Sequence, residues 1–188
     1  IVRAAAVETV GQQAPSRETH AAIINSLSDE KPEVRIQGLN ALITYPAQQR
    51  APAIELLDDP MRSVRAQAAR TVAPLSLRFD EAQQGAFDRA RSEFLEKQKA
   101  IFDRAAGHLN MALFFSELGQ LDNAEAAYRD ASRVEPEFVP ARINLAELLY
   151  SQNRPREAEE EFRKAIDAAF LPENKGVARD ALARFLIR

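Results

Sequence analysis

The chain of 188 residues contains no cysteine and no tryptophan, and it has only six glycines and two histidines. The absence of cysteine excludes a disulfide, a thiolate zinc site, a cysteine nucleophile and a covalently attached c-type haem within these residues. No uninterrupted apolar run reaches the roughly 18 residues that a membrane-spanning helix needs, so we expect no membrane span. Scarce glycine together with abundant alanine favours helices.

An excess of basic charge is also lacking. Residues 1–80 carry nine Lys or Arg against nine Asp or Glu, residues 81–188 carry 16 against 19, and the formal net charge is −3. A nucleic-acid binder needs a clustered basic face, so we expect no nucleic-acid partner.

Apolar residues recur at helical spacing along almost the whole chain, and no segment alternates convincingly as a strand does. Prolines recur from Pro15 to Pro172, where they mark helix starts or the loops between helices. The sequence therefore predicts an all-α fold of about eleven helices. We place them at residues 1–11, 16–28, 32–45, 47–58, 61–76, 79–102, 105–118, 121–134, 138–151, 155–169 and 173–187.

A first motif repeats in the N-terminal half. Val-Arg followed by a small or apolar residue occurs three times, at spacings of 32 and 30 residues, and Leu-x-Asp precedes the second and third copies at one fixed interval. The copies lie at residues 2–4, 34–36 and 64–66, and the Leu-x-Asp frames at 27–29 and 57–59.

The residue types in this motif suggest a mechanical role. Asp29 and Asp59 are placed to cap the free N–H groups of the next helix, and Arg35 and Arg65 can reach carboxylates or carbonyls of neighbouring loops. The frame resembles the short HEAT repeat of bacterial proteins. The alternative is an ordinary aspartate at a helix start with an arginine at the surface.

A second motif repeats in the C-terminal half at a spacing of 34 residues. Residues 109–113 match 143–147, and a small–aromatic–small pattern at 124, 128 and 131 recurs at 158, 162 and 165. A weaker third copy covers residues 181–184. This frame resembles the tetratricopeptide repeat, in which small side chains let paired helices cross closely. It departs from that pattern at Asn153, where the first copy has Gly119, and at His108 and Arg142, which replace an aromatic residue.

Between the two motifs lies a long, charged and amphipathic segment with four phenylalanines, which make a flexible linker a poor alternative. The domains that we expect are a HEAT-like block at 1–78, a bridging helix at 79–103 that forms half of a degenerate tetratricopeptide repeat, and a tetratricopeptide block at 104–188 with a C-terminal capping helix. Together the two resemblances imply a right-handed α-solenoid in which the first block continues into the second.

No pattern in the sequence points to catalysis. His20 and His108 have no second ligand one helical turn away, and the carboxylates of Glu157–Glu161 are explained by a solvated helix start. Phosphate-binding loops, nucleophile elbows and calcium loops are absent from the sequence. We therefore expect no enzyme and neither a metal nor a cofactor in these residues.

The resemblance to tetratricopeptide repeats implies a groove lined by the first helix of each repeat. An asparagine amide in such a groove can both donate to and accept from a peptide group of any sequence. The alternative is that asparagine is merely the family's commonest residue there. The candidate partner-binding residues are Asn110, Leu113, Glu117, Asn144, Glu147 and Tyr150.

The order of the two motifs resembles the C-terminal region of certain bacterial multihaem c-type cytochromes. That resemblance implies a haem-free scaffold in the periplasm, with haem possible only upstream of Ile1. The chain begins at Ile1 without Met, and we expect it to be a piece of a longer polypeptide.

The function that we expect is a non-catalytic protein–protein interaction scaffold with a protein or peptide as its partner. One alternative is a structural spacer or oligomerisation module, and another is an accessory enzyme subunit. An open groove with exposed Leu113, Ile143 and Tyr150 would indicate a binder. A groove filled by its own side chains would indicate a spacer.

Overall fold

The computed structural model describes residues 2–12 and 16–187; Ile1 and Pro15, named above, lie outside them, and so does the side chain of Val2. The described residues are helical and contain no strand, which confirms the all-α prediction. Each of the eleven predicted helices has a helical counterpart, whereas the right-handed sense of the solenoid stays a prediction. The elements are α1 (Val2–Gly11), α2 (Arg17–Ser26), α3 (Pro32–Leu42), a 3₁₀ segment (Ala47–Asp58), α4 (Arg62–Val72), a shorter 3₁₀ segment (Ala73–Arg78), α5 (Glu81–Lys99), α6 (Ala105–Glu117), α7 (Leu121–Val134), α8 (Val139–Ser151), α9 (Pro155–Ala168) and α10 (Pro172–Leu186).

Two compact units make up the chain, Ile1–Lys97 and Gln98–Arg188. Within each unit the helices contact those nearest in sequence: α1, α2 and α3 pack together in the first, and α6 to α10 pack in chain order in the second. Packing between near neighbours only is typical of helical repeats.

The 3₁₀ segment at Ala47–Asp58 differs from the ordinary α-helix that we predicted there. Pro52 lies inside it, and a proline in a helix interior removes the hydrogen bond to the fourth preceding carbonyl and clashes with that carbonyl. In a 3₁₀ segment the hydrogen bonds instead join residues three apart. Pro52 is the signal that could have predicted the difference.

A series of ion pairs ties successive loops of the first unit together. Arg3 Nη1 lies 3.1 Å from Asp29 Oδ2, and Arg35 Nε lies 2.8 Å from Asp59 Oδ2. Both members of the second pair are buried, and Arg35 also donates to the carbonyl of Asp29 at 2.7 Å. Arg65 donates to the carbonyl of Asp59 at 2.8 Å. The predicted reach of Arg35 and Arg65 to neighbouring loops is therefore confirmed.

The two loop aspartates lie two residues before the N-cap of the helix that follows. Asp29 accepts from the N–H of Lys31 at 2.9 Å, and Asp59 accepts from the N–H of Met61 at 2.8 Å. Lys31 and Met61 are themselves the N-cap residues of α3 and α4. The aspartates therefore fix the turn that leads into each helix, where we had expected them to bind N–H groups of the helix.

The long helix α5 packs within the first unit. Phe87 and Phe94 are buried, Arg89 on α5 pairs with Asp58 at 2.8 Å, and Arg65 donates to Glu93 at 3.0 Å. These contacts hold α5 against the end of the 3₁₀ segment Ala47–Asp58 and against α4. That α5 is half of a degenerate tetratricopeptide repeat stays a prediction, as do the three domain boundaries.

Two matching turns shape the second unit. Gly119 and Asn153 end α6 and α8 in the left-handed region, with φ of 71° and 60°. In each turn the next N–H reaches back five residues, from Gln120 to Phe115 at 2.9 Å and from Arg154 to Leu149 at 3.0 Å. Asparagine is the residue besides glycine that adopts this conformation most readily, so Asn153 closes its turn as Gly119 does.

Small residues line the crossing points of the hairpins in the second unit. Ala112, Ala124, Ala146 and Ala158 are fully buried beside Tyr128, Phe162, Leu145 and Leu149. Because an alanine side chain is short, the paired helix can approach closely while the aromatic and leucine side chains fill the space between turns. This packing positions α6, α8 and α10.

Candidate functional site

The first helices of the second unit lie side by side. Besides packing on its hairpin partner, α8 contacts α6 on one side and α10 on the other. The predicted groove residues lie on α6 and α8. Asn110, Leu113, Asn144 and Tyr150 are half-buried, and Glu117 and Glu147 are exposed.

The two asparagines differ in how far their amides are engaged. The Nδ2 of Asn110 donates to Oε1 of the buried Gln98 at 3.0 Å. Asn144 makes no side-chain hydrogen bond to any described residue. Only Asn144 therefore offers its full amide to a ligand. Gln98 is a neighbour that the sequence did not reveal, because twelve residues and a loop separate it from Asn110.

The apolar groove residues are partly covered by the unit itself. Leu113, Ile143 and Tyr150 pack against the core, and the ring of Phe185 on α10 meets that of Tyr150 edge-on with centroids 5.2 Å apart. Phe185 also lies against Phe162 at 5.3 Å. The apolar part of the groove is thus half-filled, while Asn144, Glu117 and Glu147 reach its surface. Phe185 was not among the predicted residues.

Both histidines have structural contacts. His20 Nε2 lies 3.3 Å from the carbonyl of Gln49, and its ring is 5.0 Å from that of Tyr45. His108 stacks on Phe102 with ring centroids 4.4 Å apart and places Nε2 3.1 Å from the Phe102 carbonyl. Across residues 2–12 and 16–187, no group of three or more His, Asp or Glu is arranged to hold a metal ion.

An ion-pair network joins the two hairpins of the second unit. Arg154, just before α9, donates to Glu125 on α7 at 2.6 Å and to Glu157 at 2.7 Å. The hydrogen bond from Arg154 lowers the pKa of Glu125 and that of Glu157, because it stabilises the charged form of each carboxylate. The network therefore fastens one repeat to the next.

None of the helices in the described parts of the chain is both long enough and apolar enough to cross a bilayer.

Comparison with known proteins places one family in the second unit. Residues 116–186 match the model of a tetratricopeptide repeat. A 58-residue stretch is 36% identical to small glutamine-rich tetratricopeptide repeat-containing protein 2 of Mycosarcoma maydis, covering 31% of this chain and 16% of that protein. A 68-residue stretch is 34% identical to protein O-mannosyl-transferase TMTC3 of Homo sapiens, covering 34% of this chain and 7% of that protein.

The chain thus spans less than a fifth of the length of either relative. The matched residues run from the last turn of α6 to the end of α10, and they include both left-handed turns and the network around Arg154. Residues 116–186 of the second unit therefore form a tetratricopeptide repeat region.

Proposed function

We propose that the chain is a non-catalytic scaffold that binds a protein or peptide along α6 and α8. The observation that carries this proposal is the unengaged amide of Asn144, which is half-exposed on α8, the helix that also carries Tyr150 and the acidic Glu147. A free amide beside partly exposed apolar side chains suits an extended peptide, because it pairs with the backbone while the apolar surface accepts side chains. Tetratricopeptide repeats in general suggest a protein–protein interaction scaffold.

The first unit is, on this proposal, a HEAT-like block that extends the scaffold. Its support is the recurring pair of an arginine with the aspartate of the next loop, seen in Arg3–Asp29 and Arg35–Asp59. The further proposals are that the chain is the haem-free part of a larger multihaem cytochrome and that it works in the periplasm. They rest on the order of the two blocks.

The relative named as a mannosyl-transferase does not suggest an enzyme here. The match covers 7% of that protein, and the described residues of this chain hold no metal-binding group. We therefore propose a binding function for the repeat region and no catalysis by it.

A spacer or oligomerisation module remains the second candidate, and one observation favours it. The contact of Phe185 with Tyr150 fills part of the groove from within the chain. A spacer would need no free amide, so Asn144 distinguishes the two candidates.

The proposal is tested by selecting peptides that bind the whole chain from a display library. Peptides selected from a random dodecapeptide library should lose about tenfold in affinity, ~1.4 kcal/mol, on Asn144→Ala. Asn123→Ala is the matched control, because Asn123 lies on the exposed surface of α7 and bonds only to Gln120. Both variants should melt within a few degrees of the parent. Selected peptides that bind Asn144→Ala as tightly as the parent would contradict a peptide groove on α8, and so would a library that yields no binder.

A further inference from the structure

A second cleft opens between the hairpins of the tetratricopeptide repeat region. It has a volume of about 330 Å³, and α7, α8 and α9 each contribute to it. On α8 its lining residues are Arg142 and Leu145, which lie one turn apart, whereas Asn144 and Glu147 lie on the opposite side of the helix at about 100° per residue. The cleft is therefore separate from the proposed groove. Its lining consists of Arg129, Ser132, Arg133, Arg142, Leu145, Glu161 and Lys164.

Four cations share this cleft with one carboxylate. Glu161 is 4% exposed, and it accepts from Lys164 at 2.7 Å and from Arg142 Nη1 at 3.3 Å. A single carboxylate that serves two cations leaves a net positive charge at the base of the cleft. Cations held in a concave surface raise the local concentration of anions.

One N–H group of the Arg142 guanidinium has no acceptor among the described residues. Its Nε is fully buried and has no hydrogen-bond partner among the residues that the structure describes. A buried charged donor without a partner destabilises the fold, because it has lost its hydrogen bonds to water and gained none from the protein. The equivalent residue one repeat earlier, His108, has its acceptor in the Phe102 carbonyl. Arg142 has none.

The arginines at the rim can turn toward a ligand. Arg129 pairs with Glu125 four residues earlier at 2.7 Å, and Arg133 pairs with Asp130 three residues earlier. The side chains of Arg129 and Arg133 are 46% and 75% exposed. Exposed pairs of this kind contribute at most about 1 kcal/mol, so an incoming carboxylate can compete for both guanidiniums.

We propose that this cleft binds the carboxylates of an acidic segment of a protein partner. The open shape suits side chains that project from a peptide passing over α7 and α9, and planar guanidiniums pair with carboxylates through two parallel hydrogen bonds. The exposed guanidiniums of Arg129 and Arg133 donate to such a carboxylate, while Arg142 and Lys164 supply positive charge at the base of the cleft. This site goes beyond the proposed groove and does not depend on it.

Titration of the isotope-labelled whole chain with a capped hexapeptide of four glutamates flanked by serines tests the site. We expect shifts of the amide signals of Ser132, Leu145 and Lys164 and of the Arg142 Nε–H signal, weakening as salt is added. The matching peptide with four glutamines should cause none of these shifts. Equal shifts from the glutamine peptide would overturn the proposal, and so would equal shifts from inorganic phosphate, which would mark a small-anion cleft.

Amino-acid substitutions show whether the glutamate peptide binds in this cleft. Arg142→Gln should weaken binding of the glutamate peptide about tenfold, because it removes a positive charge from the base of the cleft. Arg156→Gln makes the same charge change at an exposed position of α9 outside the cleft lining, and affinity should fall less than twofold. Equal losses in both variants would indicate a general charge effect and overturn the site.

Arg142→Gln could unfold the chain by leaving Glu161 with a single partner. In that case the affinity of the glutamate peptide is measured on Arg133→Gln and Lys164→Gln, which change two other residues of the cleft lining. Unchanged affinity in both variants would overturn the site. Asn144→Ala should leave binding of the glutamate peptide unchanged, so failure of the groove and failure of the cleft give different results.

Discussion

Gly107 shows how one residue sets the approach of two segments. A Cβ at this position would lie 2.7 Å from the carbonyl oxygen of Ile101 and 3.1 Å from that of Gln98. Both atoms belong to the backbone, so neither can move aside as a flexible side chain would. The start of α6 can therefore lie against the end of α5 only because residue 107 has no side chain.

Gly107→Ala should destabilise the second unit by about 1–3 kcal/mol, because the added methyl group overfills a contact with the backbone. The measurement is urea unfolding followed by circular dichroism. Gly176→Ala is the control: apart from its chain neighbours and the adjacent backbone of α10, no atom of the described residues lies within 4 Å of the position where its Cβ would be. Because Gly176 is inside α10, alanine there should raise stability by about 0.5–1 kcal/mol. A stable Gly107→Ala protein would contradict the close approach.

At the scale of the element, the unit of construction is a hairpin of two helices. Ala124 on α7 is fully buried in the same cluster as Ala112 on α6, while Ala126, two residues along, is exposed. The same amino acid therefore has two roles on one helix, and its position on the helix decides which role it has. Helical period alone assigns these positions from the sequence.

Ala124→Leu should cost about 1–3 kcal/mol, because three extra carbon atoms must fit where two helices cross. Ala126→Leu changes the same helix by the same atoms at an exposed position, so its stability should stay within about 0.5 kcal/mol of the parent. Thermal unfolding of both variants gives the comparison. Equal effects of the two substitutions would mean that the repeat frame is misplaced by a residue.

The location of α10 is an element-scale result that the sequence could not supply. The weak third copy predicted a capping helix, but only the packed structure places Phe185 of α10 against Tyr150. Whether the two rings meet depends on the rotation of α10 about its own axis. The loop before α10 also differs in length from the loop before α8. The repeat spacing contains no information on that rotation.

At the scale of the whole molecule, ion pairs connect successive helical segments within each unit. Arg3–Asp29 and Arg35–Asp59 do so in the first unit, and Arg154 with Glu125 and Glu157 does so in the second. Most of these side chains are partly exposed. Each such pair contributes little alone, and several along the chain make its stability depend on pH.

Acid should weaken the second unit. The pKa of Glu125 is lower in the folded chain than its usual value of 4.5 because Arg154 hydrogen-bonds to it. Its contribution to stability is therefore complete above the unfolded value and is lost as the pH falls through the lower folded value. Unfolding free energies measured from pH 7 down to about pH 3 should decline below ~4.5.

The variant Arg154→Gln should flatten this decline, since it removes the hydrogen bond that shifts both Glu125 and Glu157. Arg156→Gln, an exposed neighbour on α9, should keep the slope of the parent. A parent-like slope in Arg154→Gln would show that other carboxylates govern the acid response.

The sequence by itself determined the helices, their order, the period of 34 residues in the second half and the reach of the loop arginines. These features follow from local propensity and from which residues recur at helical spacing. Pro52 was equally visible in the sequence and marks a place where a predicted α-helix is a 3₁₀ segment.

Only the tertiary structure decided which side chains remain available. In the folded chain the amide of Asn110 is bonded to Gln98 and that of Asn144 is unengaged, and Arg142 donates to the buried carboxylate of Glu161. The physical reason is that such contacts join residues far apart in the chain, at distances set by how closely whole helices pack. A repeat period specifies that helices pack on one another, whereas the distances between their polar atoms emerge only when the side chains are in place.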